Sequence, residues 1–471
     1  MVFASPVFLF LFFPAFLLLY RLIPAKARCY WILIASLAFY FWGEPVYVLL
    51  MAATILVTWL FGAGTGILIR KGKEKAAGWV TAAGVILVLG SLLYYKYAGL
   101  LAVTLKDLFG IKWRLPSIVM PIGISFYTFQ AMSYLWDVRR KTIPAVMNPA
   151  KLGAYIAMFP QLIAGPIVRA GEVIMDLDAP KMDLEHTWHG MLRFIRGLGK
   201  KVLLANTLAA VTGDAFALPA KSMSTGLVWF AALLYALQIY FDFSGYSDMA
   251  IGMGEIMGFR LPENFNFPYL ATSVRDFWRR WHITLSSWLR DYVYIPLGGN
   301  RKGGFRTGLN LMLVFLICGF WHGAQWNFVI WGLWYGLWMI IERIPAVQKK
   351  LMKAIPAPVR WLFTMAIVLV GWVMFQGLPM ADTWTMIGRM FGIGGPASYT
   401  AASILTPKLL AVLAAGVLCA SPLGRWASKK LESVSGAGGL ILRGALGAVI
   451  LAACVLMLTA DTYNPFIYFR F

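Results

Sequence analysis

Long apolar runs separated by short polar stretches recur along the whole chain. In lipid, only α-helices and closed β-barrels satisfy every backbone polar group, and runs of this length exclude a barrel, whose strands alternate over about ten residues. Since a spanning helix needs roughly 20 apolar residues, the pattern predicts an all-α, polytopic membrane helix bundle with about 11–13 membrane-embedded helices. The runs cover residues 5–22, 29–43, 46–69, 79–103, 117–136, 151–168, 198–217, 226–257, 306–322, 324–342, 361–378, 408–422 and 440–460.

The composition supports a membrane protein and excludes several other classes. Of the 471 residues, 60% are hydrophobic and 13% are charged, whereas soluble domains are about half apolar and a quarter charged. The apolar runs leave no room for a large soluble domain, and they exclude a secreted enzyme, a disulfide scaffold and a disordered chain. Because no internal repeat or low-complexity linker divides the sequence, residues 1–471 are predicted to form a single domain.

The formal net charge is +22, and the basic residues collect between apolar runs, near positions 24, 72, 140, 350 and 428. Basic loops of membrane proteins stay in the cytoplasm, so this charge does not indicate binding to nucleic acid. An N-terminus outside the membrane places all of these loops inside, provided that the run 151–168 does not cross. Pro160, Gly165 and Pro166 predict that this run is a broken or re-entrant helix.

A polar and aromatic stretch at 260–306 interrupts the apolar pattern. Large apolar residues recur in it at helical spacing, with arginines between them. This pattern predicts an amphipathic helix that lies in the cytoplasmic interface or packs under the bundle. The apolar positions are Phe277, Trp281, Leu285, Trp288 and Leu289, and the arginines are Arg279, Arg280 and Arg290.

His322 is the histidine most deeply embedded in an apolar run. It stands in FLICGFWHGAQWNFVIWG, about 24 Å along a helix from Arg306, the last residue of the preceding basic stretch. Ionisable residues at such depth are costly and usually functional. A neutral imidazole is suited to remove a proton from a hydroxyl. The alternative is a structural histidine that bonds to a neighbouring helix.

The other three histidines lie in more polar stretches. His282, in FWRRWHITLSSW, belongs to the amphipathic segment, where a structural and a functional role are equally open. His186 and His189 have the i, i+3 spacing that can hold a metal on a helix, with Asp183 and Glu185 nearby. Since no fourth ligand is evident, no metal site is predicted.

Two further features concern ions or charged ligands. Asp242 and Asp248, in YFDFSGYSDMAIGMG, adjoin a long apolar run, where acids mark an ion path, cap broken helix ends or hold a polar neighbour. The glycine-rich turn at 298–304 carries Arg301 and Lys302. It lacks the closing Gly-Lys-Ser/Thr of a phosphate-binding P-loop. Its two cations are nevertheless candidates for attracting an anionic cytosolic ligand such as coenzyme A.

Several motifs together carry a family resemblance. The segment RDFWRRWHITLSSWLRDYVYIPLGGNRKG, followed by Asn310 and then by CGFWHGAQWNFVIWG, resembles the membrane-bound O-acyltransferase family. The opening MVFASPVFLFLFFPAFLLLY, the segment YFDFSGYSDMAIGMGEIMGFRLPENFNFPY and the ending NPFIYFRF resemble its bacterial alginate O-acetyltransferase branch. The resemblance runs nearly from end to end.

This resemblance implies a helix bundle with a central tunnel or funnel, in the bacterial inner membrane. It implies that His322 is catalytic, that His282 is a second functional histidine on the cytoplasmic side, and that Asn310 stands where the family often has a polar partner. Acetyl-CoA is the expected acyl donor, and no permanently bound cofactor is expected. Arg279 and Arg280 are candidates for the donor's entrance or, alternatively, for lipid-facing anchors.

The function implied is O-acetylation of an extracytoplasmic polysaccharide, with alginate as the first choice, in which a separate SGNH-type acetyltransferase commonly completes the transfer. In the expected mechanism, His322 removes a proton from an acceptor hydroxyl that attacks the thioester carbonyl. Asn310 or a backbone amide would stabilise the resulting oxyanion. Whether the direct acceptor is a sugar, a serine of a partner protein or, transiently, the enzyme itself stays open.

Two alternatives are kept. Within the family, the chain could be a D-alanyl transferase that acts on teichoic acid. Outside the enzyme class, a transporter or flippase for a donor or a glycan fits the basic loops, the broken helices and the intramembrane acids. The sequence does not name the glycan, because similar proteins serve alginate, cellulose and peptidoglycan.

Overall fold

The computed structural model describes residues 2–111, 118–177, 180, 182–347 and 354–460. Within these ranges the chain is helical and contains no β-strand, so the predicted all-α fold is confirmed. The basic stretch near position 350 and the ending NPFIYFRF lie outside the described residues.

Helices follow one another along the chain with short connections. Short π-helical segments at Phe8–Phe12, Lys200–Ala205 and Arg290–Tyr294 adjoin α1, α10 and α13. The α-helices are α1 (Phe13–Leu22), α2 (Arg28–Gly43), α3 (Tyr47–Arg70), α4 (Glu74–Phe109), α5 (Ile124–Arg139), α6 (Pro149–Ala157), α7 (Phe159–Leu162), α8 (Ala170–Val173), α9 (Leu184–Gly199), α10 (Asn206–Ala217), α11 (Thr225–Met257), α12 (Val274–Arg280), α13 (Ile283–Leu289), α14 (Gly303–His322), α15 (Trp326–Ile341), α16 (Ala357–Phe375), α17 (Met380–Met390), α18 (Pro407–Cys419), α19 (Pro422–Glu432) and α20 (Gly436–Ala460).

Six helices of the described residues are long and apolar enough to cross a membrane, namely α3, α4, α11, α14, α16 and α20. The pair α18 and α19, bent by 70° at its break, adds a seventh if it is one span. Other predicted runs form shorter helices. For example, the run 29–43 becomes α2, which has 16 residues. The multi-pass helical architecture agrees with the prediction.

The run 151–168 is broken, as its prolines and glycine predict. α6 ends at Ala157, and α7 begins after Met158, whose backbone leaves the helical region with ψ of 111°. Side chains satisfy carbonyl groups that the break leaves free of helical hydrogen bonds. The Gln161 amide donates to the carbonyl of Tyr155 at 2.6 Å, and the Tyr155 hydroxyl donates to the carbonyl of Val168 at 2.8 Å.

The chain divides into two compact units, and the first comprises Met1–Phe194 and Tyr246–Pro262. Its helices α3, α4 and α5 pack against one another. Thr65 and Thr81 share a buried hydrogen bond of 3.0 Å between α3 and α4. Arg193 pairs with Asp248 at 3.0 Å. Of the readings open for Asp248, the structure therefore favours a carboxylate that holds a neighbouring side chain.

The second unit comprises Ile195–Gly245 and Glu263–Phe471. Helix α14 packs along α15, which in turn packs against α16. Lys201 and Asp242 form a buried ion pair of 2.5 Å in this unit, so Asp242 also has a basic partner. The two histidines predicted to be functional, His282 and His322, belong to the second unit, as do the cation candidates, which are Arg279, Arg280, Arg301 and Lys302. The single domain over residues 1–471 stays a prediction.

Candidate active site

His322 is the last residue of α14 and is only 4% exposed. Its imidazole makes edge contacts with three aromatic rings, and the centroids of Trp321, Trp331 and Phe375 lie 4.9, 5.1 and 5.0 Å from its own. Helix α14 ends directly after it, because Gly323 has an extended backbone. The histidine predicted from its depth is thus held in an aromatic cage at a helix end.

Close packing of α14 against α15 fixes the position of this helix end. A Cβ atom on Gly319 would collide with the backbone oxygen of Phe328, and one on Gly332 would collide with the backbone oxygen of Phe315. The two helices therefore approach backbone to backbone at glycine positions, which is a common arrangement of helices in membranes. This contact places Trp331 of α15 beside His322.

His282 lies at a break between two short helices, so the predicted single amphipathic helix is wrong. Helix α12 ends at Arg280, Trp281 is extended, and His282 has a left-handed backbone with φ of 44°. Such a conformation is uncommon for a residue with a Cβ atom and cannot continue a right-handed helix. The apolar positions of the segment are nevertheless buried as their spacing predicts, since Phe277, Trp281, Leu285, Trp288 and Leu289 are at most 3% exposed.

The two histidines share one aromatic neighbour. The indole of Trp321 contacts His322 and also lies 5.8 Å, centroid to centroid, from the ring of His282. On another side, Phe243 of α11 packs edge-on against His282 at 4.7 Å. The structure therefore places His282 and His322 next to the same aromatic ring, although they are distant in sequence.

The orientation of His282 is set by Asn264. The side-chain oxygen of Asn264 lies 3.1 Å from His282 Nδ1 and accepts hydrogen bonds from the backbone N–H of Thr284 at 3.2 Å and from its hydroxyl at 2.9 Å. The backbone of Asn264 also accepts from the N–H of Ile283 at 3.0 Å. Asn264 thus binds three consecutive residues at the start of α13.

Complete burial keeps His282 neutral. It lowers the pKa of this residue, which lies outside the six candidate spans, to about 3. The ring therefore carries one proton, and its Nδ1 faces an oxygen. The other nitrogen, Nε2, is buried and has no hydrogen-bond partner among the described residues.

Asn310 is not close to His322. It lies on α14 about three helical turns before the histidine, or roughly 18 Å along the axis. Its buried amide donates instead to the carbonyl groups of Gly299 at 3.1 Å and Leu297 at 3.4 Å. This side chain therefore stabilises the glycine-rich turn, and the structure does not bring it to the catalytic candidate.

The cations predicted to attract the donor lie on the surface of the second unit. Arg301 and Lys302 are exposed on the glycine-rich turn, where Gly298 and Gly299 have φ values of 103° and 53°. Arg279 is exposed at the end of α12, whereas Arg280 is partly buried and pairs with Asp276 at 2.9 Å.

The end of α15 connects two parts of this surface. The carboxylate of Glu342 accepts hydrogen bonds from the N–H groups of Val274 at 2.6 Å and Arg275 at 3.0 Å, at the start of α12. The adjacent Arg343 donates to the hydroxyl of Tyr294 at 3.0 Å. The start of α12 and the segment before the glycine-rich turn are therefore tied to the same helix end.

The remaining histidines form a separate, exposed group. His186 Nδ1 lies 2.6 Å from a carboxylate oxygen of Asp183, and His189 lies 3.9 Å from Glu185. Among the described residues, no group of three or more histidine, cysteine or acidic side chains is arranged to hold a metal ion.

Comparison of the sequence with protein-family profiles shows which family the chain belongs to. The profile of the membrane-bound O-acyltransferase family matches residues 140–376, which include His282, Asn310 and His322. The chain belongs to this family. It is therefore an O-acyltransferase and a multi-pass membrane protein. The family match favours this enzyme class over the transporter alternative.

Individual proteins that are similar to this chain point to the same family. A protein named "Probable alginate O-acetylase AlgI" from Azotobacter vinelandii is 40% identical over an alignment of 508 residues that covers all of both chains. Its namesake from Pseudomonas aeruginosa is 44% identical over 398 residues, which are 84% of this chain and 75% of the relative. "Peptidoglycan O-acetyltransferase" from Helicobacter pylori is 33% identical over 430 residues, which are 84% of this chain and 80% of the relative.

Two residues next to the candidate histidines were not predicted from the sequence. Trp321 stands within the quoted FWHG motif, yet nothing in the motif indicates that its indole contacts both imidazoles. Asn264 stands in RLPENFNFPY, where an amide among aromatic residues was the only available signal. Asn266 in the same stretch gives an identical signal, so only the three-dimensional structure distinguishes the two.

Proposed function

We propose that this acyltransferase moves acetyl groups from cytoplasmic acetyl-CoA to an extracytoplasmic polysaccharide, with alginate as the first candidate. The choice of group and acceptor rests on the full-length similarity to proteins named alginate O-acetylase. The similarity to a peptidoglycan O-acetyltransferase supports acetyl as the group even if the glycan differs. The chain is expected to lie in the bacterial inner membrane with its N-terminus outside.

The observation that carries the proposed chemistry is the pair of buried histidines around Trp321. In the proposed step, His322 accepts the proton of an acceptor hydroxyl as the hydroxyl oxygen attacks the thioester carbonyl. The new C–O bond forms, the C–S bond breaks, and the proton passes to the departing thiolate, which leaves as free coenzyme A. Asn310 is not part of this proposal, because about three turns of α14 separate it from His322.

The surface cations support an anionic donor. Coenzyme A carries several phosphate charges, and exposed basic groups raise the local concentration of such a ligand. Arg301 and Lys302 lie on a turn whose amides and charges suit this task, and Arg279 is a further exposed cation of the same unit. Arg280 has an acidic partner, so we assign it a smaller share in attracting the donor.

A transfer assay with purified protein tests the donor. Wild-type protein in detergent is incubated with acetyl-CoA and a soluble hydroxyl acceptor, and free coenzyme A is measured with time. We expect release that depends on both substrates. If only an acyl group loaded on a carrier protein is consumed, the donor assignment is wrong and the D-alanyl alternative is favoured.

The acceptor is tested in cells. The glycans of strains with and without this protein are compared by mass spectrometry, in the presence and absence of an SGNH-type partner. We expect acetyl esters on alginate to disappear when either protein is removed. Loss of acetyl esters from peptidoglycan alone would identify that polymer instead, and acetylation that persists without the partner would mean that the sugar is the direct acceptor.

A further inference from the structure

The break at His282 is held by the side chain of Asn264, which stands 18 residues earlier in the chain. Asn264 is 1% exposed, and its amide oxygen faces both the imidazole of His282 and the two donors of Thr284. The next residue but one, Asn266, donates its backbone N–H to the carbonyl of Arg280 at 2.9 Å. The non-helical segment around Asn264 thus fixes the chain on both sides of the break.

The hydrogen-bond pattern determines which ring nitrogen carries the proton. A backbone N–H can only donate, so the atom of Asn264 that faces the N–H of Thr284 is the oxygen and not the amide nitrogen. The same oxygen lies 3.1 Å from His282 Nδ1. Nδ1 must therefore be the protonated nitrogen of the neutral ring, which leaves a lone pair on Nε2.

The buried Nε2 is an acceptor that the described protein residues do not use. Leaving a buried acceptor without a donor destabilises a folded protein, and the left-handed backbone of His282 adds strain. Strained residues with unsatisfied polar atoms are concentrated at functional sites. Here, the unused lone pair belongs to a ring that shares Trp321 with His322.

We propose that Asn264 is a positioning residue of the acyltransferase, which locks His282 in the Nδ1-protonated form so that Nε2 accepts a hydrogen bond from an N–H, O–H or S–H group of a bound substrate. This inference deepens the proposed function and rests on it for the identity of the substrate. The hydrogen bond by which Asn264 fixes the protonation of His282 involves only residues of this chain and does not depend on the identity of the substrate.

Nitrogen-15 NMR of histidine-labelled full-length protein in detergent measures the protonation of His282 directly. The signal of His282 is assigned by its loss in His282→Gln. In the wild type we expect a protonated Nδ1 and an unprotonated Nε2, and in Asn264→Ala a shift toward protonation of Nε2. A wild-type ring that is protonated on Nε2 alone would overturn the inference, whether or not acetyl-CoA is the donor.

The acyl-transfer activity of each variant is then compared with the protonation state of its His282 ring. We expect Asn264→Ala to lower kcat by more than tenfold, with a smaller effect on KM for acetyl-CoA. Asn264→Asp keeps all three acceptor contacts, which protects the fold, but its charge favours protonation of both ring nitrogens. Across these variants, activity should follow the fraction of protein with a free Nε2 lone pair. A variant in which the protonation of His282 has changed but kcat equals that of the wild type would overturn the inference.

Asn327→Ala serves as the matched control. Asn327 is a buried asparagine of the same unit whose amide donates to the carbonyl of Leu378 at 2.9 Å and to Thr383 at 3.1 Å. The Asn327→Ala variant therefore measures the general effect of deleting a buried side-chain amide. We expect the protonation of His282 to be unchanged in this variant, and an equal change in both asparagine variants would count against a specific role of Asn264.

Discussion

At the scale of single residues, the candidate site contains a histidine that stays uncharged in the folded protein. His282 is fully buried among Phe243, Trp321 and the polar side chain of Asn264. Burial lowers its pKa from an ordinary value of 6.5 to about 3. Below pH 6.5, the unfolded chain therefore binds a proton here that the folded chain does not accept until the pH approaches 3.

This difference predicts a specific pH dependence of stability. The contribution of His282 is fully present above pH 6.5 and is lost as the pH falls toward 3. Between pH 7 and pH 5, the wild type should lose about 2 kcal/mol more of its free energy of unfolding than His282→Gln does. Denaturant titrations in detergent at both pH values measure this. An equal loss in the two proteins would contradict the burial of a neutral ring.

Sequence alone singled out both candidate histidines but only part of their surroundings. His322 and His282 are visible because each is an isolated ionisable residue among aromatic and apolar neighbours. Asn264 and Trp321 act through contacts with residues that folding brings close, and no periodicity records such contacts. For the same reason, the sequence did not show that Asn310 bonds to the turn near Gly299.

At the scale of elements, the position of His322 depends on how closely α14 and α15 approach. Gly319 and Gly332 allow backbone atoms of the two helices to touch. Farther along the same pair of helices, a Cβ atom on Gly308 would lie 3.8 Å from the side chain of Ile340, which is an ordinary contact distance. The pair therefore offers an intolerant position, such as Gly332, and a tolerant one, Gly308, for comparison.

Substituting these glycines tests the packing. Gly332→Ala is expected to destabilise the protein by about 1–3 kcal/mol, because the added methyl group has no space, and to lower activity by moving Trp331 away from His322. Gly308→Ala should be neutral or slightly stabilising, because alanine favours a helix more than glycine does. Thermal unfolding and acyl transfer are measured on both variants, and similar behaviour would refute the close contact.

The apolar pattern predicted most elements but not the geometry between α12 and α13. Spacing at 277–289 marks the buried positions correctly because two short helices in succession preserve nearly the same periodicity. The left-handed residue between them has no signature, since His282 is neither glycine nor asparagine. By contrast, the break at Met158 could be anticipated, because Pro160, Gly165 and Pro166 are unfavourable in a continuous helix.

At the scale of the whole molecule, a strongly basic chain with an exposed glycine-rich turn suits an anionic acyl donor. We expect Arg301→Glu combined with Lys302→Glu to raise KM for acetyl-CoA by about tenfold while kcat stays within twofold, because surface charges act mainly on encounter and binding. Raising the salt concentration should shrink the difference. Lys408→Glu, an exposed charge reversal elsewhere on the second unit, is the control. An unchanged KM would remove these two cations from the donor site.

Hydropathy and charge were sufficient to predict a multi-pass helical membrane protein, because the bilayer imposes helices of a minimum length. They could not give the number of full spans, since several runs form helices of intermediate length such as α2. The family motifs predicted the class of reaction, about which the hydropathy pattern gives no information. Which helices pack together depends on side-chain shape, and the glycine contacts between α14 and α15 illustrate this.

The most direct test of the account is the rate of free coenzyme A release from acetyl-CoA by purified His322→Ala, measured beside the wild type and His189→Ala. His189 is exposed and lies in the other unit, so its variant controls for the loss of a histidine. We predict that His322→Ala elutes and melts like the wild type but releases no coenzyme A above background, while His189→Ala keeps the wild-type rate. A correctly folded His322→Ala protein that turns over at the wild-type rate would contradict the proposed chemistry.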